Sequence, residues 1–487
     1  MAVDEVVRLA DNPLPRLVPH LSEAERKAKG KQARTKVPRD HHARFEPNAD
    51  RPDPVALLES QAPSRVPELV PIRYGRMLVS PFTFFRGAAL VMASDLATTP
   101  RSGLNAQICG DAHLSNFGIF GSPERQLVFD CNDFDETLPG PWEWDIKRLA
   151  ASIEVAARNV GFSKANRLEA IIRLGQRYRE VMRMMAGLSN LEVWYSNVEI
   201  QGLIDALKQH ATTTGSKDET HMAAVASKTT SKALTKDSMR ALNKLTRVVD
   251  GERRIISEPP LIVPIDELFP GDEMEQHVDV FREVIRKYRQ SLPTDRKHLL
   301  EQYKFSQLAR KVVGVGSVGT RCWIILMHGP RHDDVLFLQA KEAEASVLER
   351  FTKKSAYANH GARVVAGQRL MQASSDIMLG WQRTGGIDGV PRDYYVRQLQ
   401  DWKGSIDPDT AIPEGMKVYG ELCAHTLARA HARSGDRMAI ASYLGNNASF
   451  EKALARFAES YADQNERDYE AFAAACKSGR LHAEEGI

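Results

Sequence analysis

Two acidic segments in the first third of this chain constrain its fold more than any other feature. They read GDAHLSN over residues 110–116 and DCNDFDE over residues 130–136. Short apolar runs precede both segments, at 106–109 and 126–129, and each run predicts a strand. The pattern therefore predicts one cluster of carboxylates at the ends of two strands, around which the rest of the chain must fold.

This cluster has the composition that phosphoryl transfer from ATP requires. One carboxylate, Asp111, is placed to orient or deprotonate a hydroxyl group, with His113 beside it as a second catalytic candidate. Asn116 and Asp133 are candidates to hold the metal ions that bridge the phosphates, and Asp135 adds a further metal candidate. ATP and Mg²⁺ are therefore the expected cofactors.

Composition excludes several other classes of protein. The net charge of +3 gives no reason to expect nucleic acid or a membrane as the main partner, although residues 26–44 are strongly basic. Five cysteines without a C-x-x-C pair argue against a disulfide framework and a zinc knuckle. The N-terminal residues lack a secretory signal pattern, and no run is apolar enough to span a bilayer. A cytoplasmic protein of two or three packed units is expected.

Residue patterns divide the chain into four parts. These are a basic, irregular N-terminal extension (1–70), a helical lobe that carries both acidic segments (71–310), a β-rich lobe (311–402) and C-terminal helices that complete the helical lobe (403–487). Residues 82–100 predict one buried helix. The Thr, Ser and Lys tract at 211–236 predicts a mobile loop or an exposed helix.

A glycine-rich segment opens the β-rich lobe. Gly314, Gly316 and Gly319 fit the pattern G-x-G-x-x-G, with Ser317 between them. A dinucleotide fold continues such a segment as a helix, whereas residues 320–326 are β-branched and aromatic and predict a strand. Strand, glycine-rich turn and strand is the arrangement in which backbone amides cover nucleotide phosphates, although a plain hairpin turn has the same pattern.

The next predicted strand, 335–341, ends in Lys341. A lysine at that place is able to contact the α and β phosphates of a nucleotide. An exposed lysine at a strand end is the alternative, and the glycine-rich hairpin before it favours the functional interpretation. The acidic partner of Lys341 stays open, with Glu344 and Glu349 as candidates.

The motifs resemble those of known families. GDAHLSN is similar to the H-G-D-x-H-x-x-N catalytic loop of aminoglycoside phosphotransferases and choline kinases, and NDFDETLPGPWEWD is similar to their metal-binding I-D-F-x-D segment. Cys109 departs from the first pattern, and Asp135 and Glu136 depart from the second. The motifs RPDPVALL, LVPIRYGRM, FFRG and VGVGSVGT resemble the bacterial family catalogued as domain of unknown function 2252, from Arg51 onward.

The resemblance implies an α+β, protein-kinase-like fold with a predominantly helical large lobe and a small antiparallel β-rich lobe. The motif order is inverted, because the glycine-rich turn and Lys341 follow the catalytic loop in the chain. A circular permutation that opens the chain just before the catalytic loop accounts for this order, and residues 417–435 then resemble the helix that leads into that loop. The implied function is an ATP- and Mg-dependent phosphotransferase with a small-molecule or protein acceptor.

Three alternative functions stay open. Asp111, His113, Asp130, Asp133 and Asp135 are also the ligand types of a metal-dependent phosphohydrolase. A non-catalytic nucleotide-binding role is the second alternative, because a kinase-like fold does not itself imply transfer. Transfer of AMP in place of phosphate is the third.

Three arginines, Arg73, Arg76 and Arg86, precede the first acidic segment. They are candidate contacts to an anionic substrate, since arginine binds carboxylate and phosphate with two hydrogen bonds. Structural ion pairs explain them equally well.

Overall fold

The structure is a computed structural model that describes residues 20–47, 49–215, 217–234, 238–249, 252–269, 282–331, 333–385, 389–399, 402, 404 and 407–487. It is a mixed α+β protein that combines long helices with small antiparallel sheets. The α+β class predicted from the sequence is confirmed.

Helices make up most of the regular structure. In chain order they are α1 (Glu23–Lys36), α2 (Pro54–Glu59), α3 (Val70–Leu78), α4 (Pro81–Gly87), α5 (Ala89–Ala97), α6 (Trp142–Asn159), α7 (Lys164–Gly187), α8 (Asn190–Tyr195), α9 (Ile200–Thr214), α10 (Lys217–Leu234), α11 (Ser238–Leu245), α12 (Ile265–Leu268), α13 (Thr294–Leu300), α14 (His360–Met371), α15 (Pro413–Ser434), α16 (Arg437–Leu444) and α17 (Ser449–Lys477). Residues 282–288 are also helical. None of the described helices combines the length and the apolar composition that crossing a bilayer requires.

The strands form one larger sheet and three hairpin-sized sheets. They are β1 (Asn105–Ile108), β2 (Phe117–Gly121), β3 (Leu127–Cys131), β4 (Leu138–Pro141), β5 (Thr246–Val249), β6 (Glu252–Ile255), β7 (Ile262–Pro264), β8 (Lys304–Lys311), β9 (Cys322–His328), β10 (Val335–Ala343), β11 (Gly380–Thr384) and β12 (Arg392–Gln398). The six-stranded sheet has the order β11-β12-β10-β9-β8-β7, while β1 pairs with β4, β2 with β3 and β5 with β6. All of these pairs are antiparallel.

Helix α6 is buried on every side. All residues from Trp142 to Ala157 are buried, and α4, α7, α15 and α17 pack around the helix. A helix in that position is normally apolar all round, yet α6 carries five charged residues in this stretch: Glu143, Asp145, Lys147, Arg148 and Glu154. A buried charge is costly unless it is paired. Asp145 and Arg148 find their partners in the first acidic segment, as described below.

Two small sheets hold the acidic segments beside α6. The predicted strands before these segments are present as β1 and β3. Strand β2 is absent from the sequence prediction; it follows the first segment directly and pairs with β3, so that Phe117 lies opposite Cys131. Strand β1 pairs with β4, and β4 leads straight into α6. Both segments and the start of α6 are therefore held together by backbone pairing.

The segment before residue 70 contains helices, in contrast to the irregular extension that its composition predicts. Helix α1 starts at a capping box formed by Ser22 and Glu25. It lies so close to α16 that a Cβ atom at Gly30 would fall 2.1 Å from the Ala439 carbonyl oxygen. Only Gly30 and Ala33 of α1 are buried, so no apolar stripe marks this helix in the sequence. Residues 1–19 of the predicted extension lie outside the described residues.

Other elements also differ in detail from the prediction. The single helix expected over 82–100 is two helices, α4 and α5, which meet at Ala88. The tract at 211–236 contains the end of α9 and the whole of α10, separated at Gly215, which has a φ of +67°. The six-stranded sheet includes β7 and β8, which precede the expected start of the β-rich lobe at 311.

Lys147 generates a prediction about stability. Its ammonium group is buried without a hydrogen-bond partner and lies 4.7 Å from the centre of the Phe457 ring. Burial lowers the pKa of Lys147 from 10.5 to about 7, with Glu143 opposing the shift. Below pH 7 the folded protein must hold this charge in its core, and the penalty fades as the pH rises from about 7 toward the value of the unfolded chain. Lys147→Met is therefore expected to raise the free energy of unfolding near pH 6 by roughly 2 kcal/mol or more.

The gain should shrink steadily as the pH rises to 10. Denaturant unfolding at pH 6, 8 and 10 measures it, with Lys452→Met on the exposed face of α17 as the control. A loss of stability at pH 6 in Lys147→Met, relative to that control, would contradict the assignment of Lys147 as an unpaired buried cation.

Candidate active site

A cavity of about 880 Å³ contains most of the predicted site residues. Its wall includes both acidic segments, the glycine-rich turn and two of the predicted arginines: Arg73, Arg86, Asp111, His113, Asn116, Asp133, Asp135, Glu136, Gly314, Gly316 and Ser317. Gly319, Lys341 and Arg76 are not part of the wall itself. The structure thus brings together residues that lie more than 200 positions apart in the chain.

The first acidic segment is fixed by the carboxylate of Asp145. This buried side chain on α6 accepts hydrogen bonds from the backbone amides of Cys109 at 2.8 Å and Gly110 at 2.9 Å. His431 on α15 lies 3.2 Å from the same carboxylate through Nε2. Gly110 has a φ of +80°, and a Cβ atom there would fall 2.6 Å from the Glu136 carbonyl oxygen. Only glycine therefore fits this close crossing of the two segments.

Asp111 is held on one side by Arg148. The Arg148 guanidinium, one turn after Asp145 on α6, donates to Asp111 Oδ1. Oδ2 of Asp111 lies 3.8 Å from Nε2 of His113. Burial raises the pKa of the Asp111 carboxyl, with Arg148 opposing the shift and Asp133 adding to it. Burial also lowers the pKa of His113 well below its ordinary value, with Arg148 and Arg86 reinforcing it, so this imidazole is neutral at pH 7.

Asn116 connects the two segments. Its side-chain amide group donates to the Asp111 carbonyl oxygen at 2.7 Å, which leaves Oδ1 as the available acceptor. Its backbone carbonyl accepts the Asn132 amide at 2.9 Å, next to Asp133. The Asn116 side chain and the Asp133 carboxylate therefore face the same cavity from neighbouring loops.

Lys341 reaches the second acidic segment from β10. Its ammonium group donates to Asp135 Oδ2 and lies 3.9 Å from Asp133. The partner left open by the sequence is thus this pair of aspartates, and neither Glu344 nor Glu349. Burial disfavours the charge on Lys341, but Asp133 and Asp135 outweigh it and raise the pKa of the lysine well above its ordinary value.

Both oxygens of Asp135 accept hydrogen bonds within the protein. Tyr395 on β12 donates to Oδ1 at 2.8 Å, while Lys341 occupies Oδ2. Burial raises the pKa of Asp135, but Lys341 and the hydroxyl of Tyr395 more than compensate and hold it below the ordinary value. The predicted metal candidate Asp135 is therefore engaged mainly in positioning Lys341.

Asp130 lies apart from the cavity. Both of its oxygens accept hydrogen bonds from Arg429 of α15, at 2.7 and 2.6 Å, and this pair is completely buried. Asp130 also accepts the Ala373 amide at 3.0 Å. The residue therefore ties α15 to the end of β3.

The glycine-rich turn lies directly over the acidic cluster. The expected order of strand, turn and strand is confirmed by β8, residues 312–321 and β9. Gly314 and Gly319 have positive φ angles of 68° and 90°, and Ser317 Oγ lies 3.5 Å from Asp135 Oδ2. A Cβ atom at Gly316 would fall 3.1 Å from the Arg86 carbonyl oxygen. Glycines thus allow the turn to approach both the acidic segment and α4.

The predicted arginines have different positions. Arg73 and Arg86 lie in the cavity wall. Arg76 lies outside it and donates to the Gly314 carbonyl oxygen at 2.7 Å and to the Ile487 carbonyl oxygen at 3.1 Å. It therefore anchors the glycine-rich turn and is not placed to contact a ligand in the cavity.

The donor set fits magnesium. Among the described residues, no three His, Cys, Asp or Glu side chains gather closely enough to hold a metal ion alone. Asn116 and Asp133 offer one amide oxygen and one carboxylate on neighbouring loops. Mg²⁺ is commonly bound in this way, by one or two protein oxygens together with substrate phosphates.

Sequence reasoning missed three residues of the site. Arg148 follows Asp145 by one helical turn, so its place on the same face of α6 was the available signal. Tyr395 lies directly opposite Lys341 in the sheet, which only the strand register reveals. Arg363 on α14 donates to the backbone carbonyls of Asp135 and Thr137 at 2.7 Å, and no local pattern indicates these contacts.

Comparison with known proteins identifies the family. A family model described as an uncharacterized protein conserved in bacteria (DUF2252) matches residues 65–475, and the chain belongs to this family. The family resemblance seen in the motifs is thereby confirmed. No curated protein and no solved structure matches the chain.

Asp145 provides a test of how the first segment is held. Asp145→Asn replaces an acceptor of two backbone amides by a group with a single acceptor oxygen, so at least one buried N–H loses its partner. An unsatisfied buried donor costs about 1–3 kcal/mol, and a fall of that size or slightly more in the free energy of unfolding is expected. Urea unfolding measures it, with Asp463→Asn on the exposed side of α17 as the control. Equal stability of the two variants would show that Asp145 does not hold the segment.

Proposed function

We propose that this protein is an ATP- and Mg-dependent phosphotransferase that acts on a hydroxyl acceptor. The observation that carries the proposal is the position of Lys341, whose ammonium lies between Asp133 and Asp135 while the glycine-rich turn contacts Asp135 through Ser317. Lysine, glycine-rich turn and metal-binding aspartate are the parts that hold and neutralise nucleotide phosphates in kinases.

The topology of the sheet supports a protein-kinase-like fold. The glycine-rich turn joins β8 to β9, and the lysine lies on β10, the next strand in both the chain and the sheet. In protein kinases the glycine-rich loop likewise precedes a lysine on the third strand. One part differs: kinases pair this lysine with a helix glutamate, whereas Lys341 pairs with the acidic segment.

Contacts at the end of α15 support a circular permutation. Ser434 Oγ accepts the Gln107 amide at 3.1 Å, and a Cβ atom at Gly435 would fall 3.0 Å from the Asn105 carbonyl oxygen. The end of α15 therefore meets the start of β1, the strand that leads into the first acidic segment. In the proposed unpermuted order these two elements would be joined by a short connection.

The proposed reaction assigns a role to each acidic residue. The acceptor oxygen attacks the γ-phosphorus of ATP, the bond from that phosphorus to the bridging oxygen breaks, and ADP leaves. The hydroxyl proton passes to Oδ2 of Asp111, since Oδ1 is held by Arg148. Mg²⁺ at Asn116 and Asp133 would neutralise charge on the phosphates.

The alternatives receive less support from the contacts. The phosphohydrolase alternative counts Asp130 among its ligands, and both oxygens of Asp130 are bound by Arg429. A non-catalytic nucleotide-binding protein has no need of a carboxylate oriented as Asp111 is by Arg148. AMP transfer would use the same residues with the nucleotide reversed, so the labelled-ATP screen described below distinguishes it from phosphate transfer.

Asp111 and Lys341 give separable kinetic predictions. Asp111→Asn should leave the affinity for Mg-ATP within a few-fold of the wild type and lower turnover by about 10²-fold or more, the size of a lost general base. Lys341→Met should weaken nucleotide binding and turnover together, because it removes a positive charge from the phosphates. A metabolite screen with ATP labelled in the γ or the α phosphate measures turnover and distinguishes phosphate from AMP transfer.

The control for this pair is Asp295→Asn, an exposed carboxylate of α13. It should match the wild type in both affinity and turnover. If Asp111→Asn keeps full turnover with the acceptor that the screen identifies, Asp111 is not the catalytic base and the proposed function fails.

Asp133 gives a prediction about metal dependence. ATP should raise the melting temperature of the wild type clearly with Mg²⁺ and only weakly without it, by preferential binding to the folded state. Asp133→Asn should abolish the Mg-dependent part of the shift. Differential scanning fluorimetry measures it. Tight binding of a transition metal without nucleotide, together with phosphoester cleavage, would favour the hydrolase alternative instead.

A further inference from the structure

A second part of the cavity wall is basic. It comes from the segments around α2, α3 and α4 and from the turn that follows β10. Its basic members are Arg65, Arg73, Arg86, Arg350 and Lys354, and the turn after β10 also contributes Glu344 and Glu349 to the wall. Neither the glycine-rich turn nor the acidic segments supplies these side chains, so the proposed nucleotide and metal contacts leave them unused.

Arg73 is the least satisfied member of this wall. Its side chain is 1% exposed, and Nη2 donates to Gln61 Oε1 and to the Gly87 carbonyl oxygen, each at 3.0 Å. Nε and Nη1 have no hydrogen-bond partner, and no carboxylate of the described residues forms an ion pair with this guanidinium. A buried cation without a counter-charge is costly. A ligand anion in the cavity would supply the missing partner.

Two further arginines adjoin Arg73. Arg65 is 7% exposed, donates to the Val318 carbonyl oxygen and leaves Nε without a partner. Arg86 also has a buried Nε without a partner, and it precedes Gly87, whose carbonyl accepts from Arg73. Burial lowers the pKa of all three arginines. The neighbouring charge of Arg65 lowers the pKa of Arg73 further. Glu344 and Glu136 oppose the shift at Arg65, and Asp111 opposes it at Arg86.

We propose that Arg73, assisted by Arg65 and Arg86, binds an anionic group of the acceptor, so that the acceptor is a small hydroxyl compound bearing a phosphate or a carboxylate. The proposal rests on the proposed phosphotransferase function, because it takes Asp111 as the residue that meets the hydroxyl. The two sets of contacts come from different elements: Lys341 reaches the second acidic segment from β10, whereas Arg73 lies on α3 and contacts Gln61 and Gly87, beside the glycine-rich turn.

Inorganic phosphate is the probe that tests this assignment. The full chain is titrated with phosphate, and binding is followed by calorimetry and by the melting temperature, both without nucleotide and with saturating Mg²⁺ and the non-hydrolysable analogue adenylyl imidodiphosphate. The variants are Arg73→Gln, Arg73→Lys and the control Arg456→Gln, which changes an exposed arginine of α17. Arg73→Lys keeps the charge and guards against a purely structural effect of the substitution.

The expected result is phosphate binding by the wild type in both conditions. Arg73→Gln should weaken it by about tenfold or more, the scale of one lost charge-assisted hydrogen bond, while Arg456→Gln leaves it unchanged. Arg73→Lys should retain a larger part of the affinity than Arg73→Gln. Equal phosphate binding by the wild type and Arg73→Gln, or none by the wild type, overturns the proposal.

The nucleotide analogue distinguishes the two sources of the anion. Phosphate that still binds when the analogue is saturating occupies a separate acceptor subsite. Phosphate that is fully displaced by the analogue occupies the site of the nucleotide phosphates, which overturns the assignment to the acceptor. Failure of the proposed function has a different signature, because phosphate would then bind through Arg73 although labelled ATP gives no transfer product.

Discussion

The buried carboxylate of Asp145 is the interaction on which the rest of the site depends. It accepts the backbone amides of Cys109 and Gly110, where the first acidic segment begins, and faces His431, whose other ring nitrogen lies 2.7 Å from the Tyr178 hydroxyl. One side chain on α6 thereby joins a loop to α15 and, through His431, to α7. Helix α6 also positions Asp111, because it presents Arg148 to that carboxylate one turn after Asp145. Backbone and side chain of the segment are thus positioned by a single rigid element.

The carboxylates around the cavity are balanced by cations of two kinds. Arg148 comes from the helical part and holds Asp111, whereas Lys341 comes from the sheet and holds Asp135 and Asp133. Uncompensated carboxylates this close together would repel and bind protons. The lysine contact also couples the sheet to the acidic segment, so a ligand that competes for Lys341 acts on both parts at once. Arg363 strengthens the same junction through the backbone carbonyls of Asp135 and Thr137.

Local chemistry made much of the site predictable. The acidic segments, the strands that precede them, the glycine-rich turn and Lys341 are each marked by residue type and spacing over fewer than ten residues. The partners were harder to predict, because they depend on contacts between distant parts of the chain: Lys341 and Asp135 are 206 residues apart, and Arg429 and Asp130 are 299 apart. Asp130 and Asp133 look alike in the sequence, and only packing against α15 reveals that one is structural. The helices before residue 70 were not predicted because each buries only a few residues, so the sequence carries no apolar periodicity there.

Under the proposed permutation, the chain order explains where the basic wall originates. The end of α15 meets the start of β1. An unpermuted chain would join these two elements directly, so it would need neither residues 436–487 nor residues 20–104 to connect them. These parts pack on each other, α1 against α16 and α17 against α2, α3 and α4. They also carry Arg65, Arg73 and Arg86 into the cavity. Under the proposed function, these additional segments supply three of the cavity's basic side chains, while Arg350 and Lys354 come from the turn after β10. Under the proposed function, the specificity for the acceptor is expected to reside mainly in residues 20–104, which carry Arg65, Arg73 and Arg86.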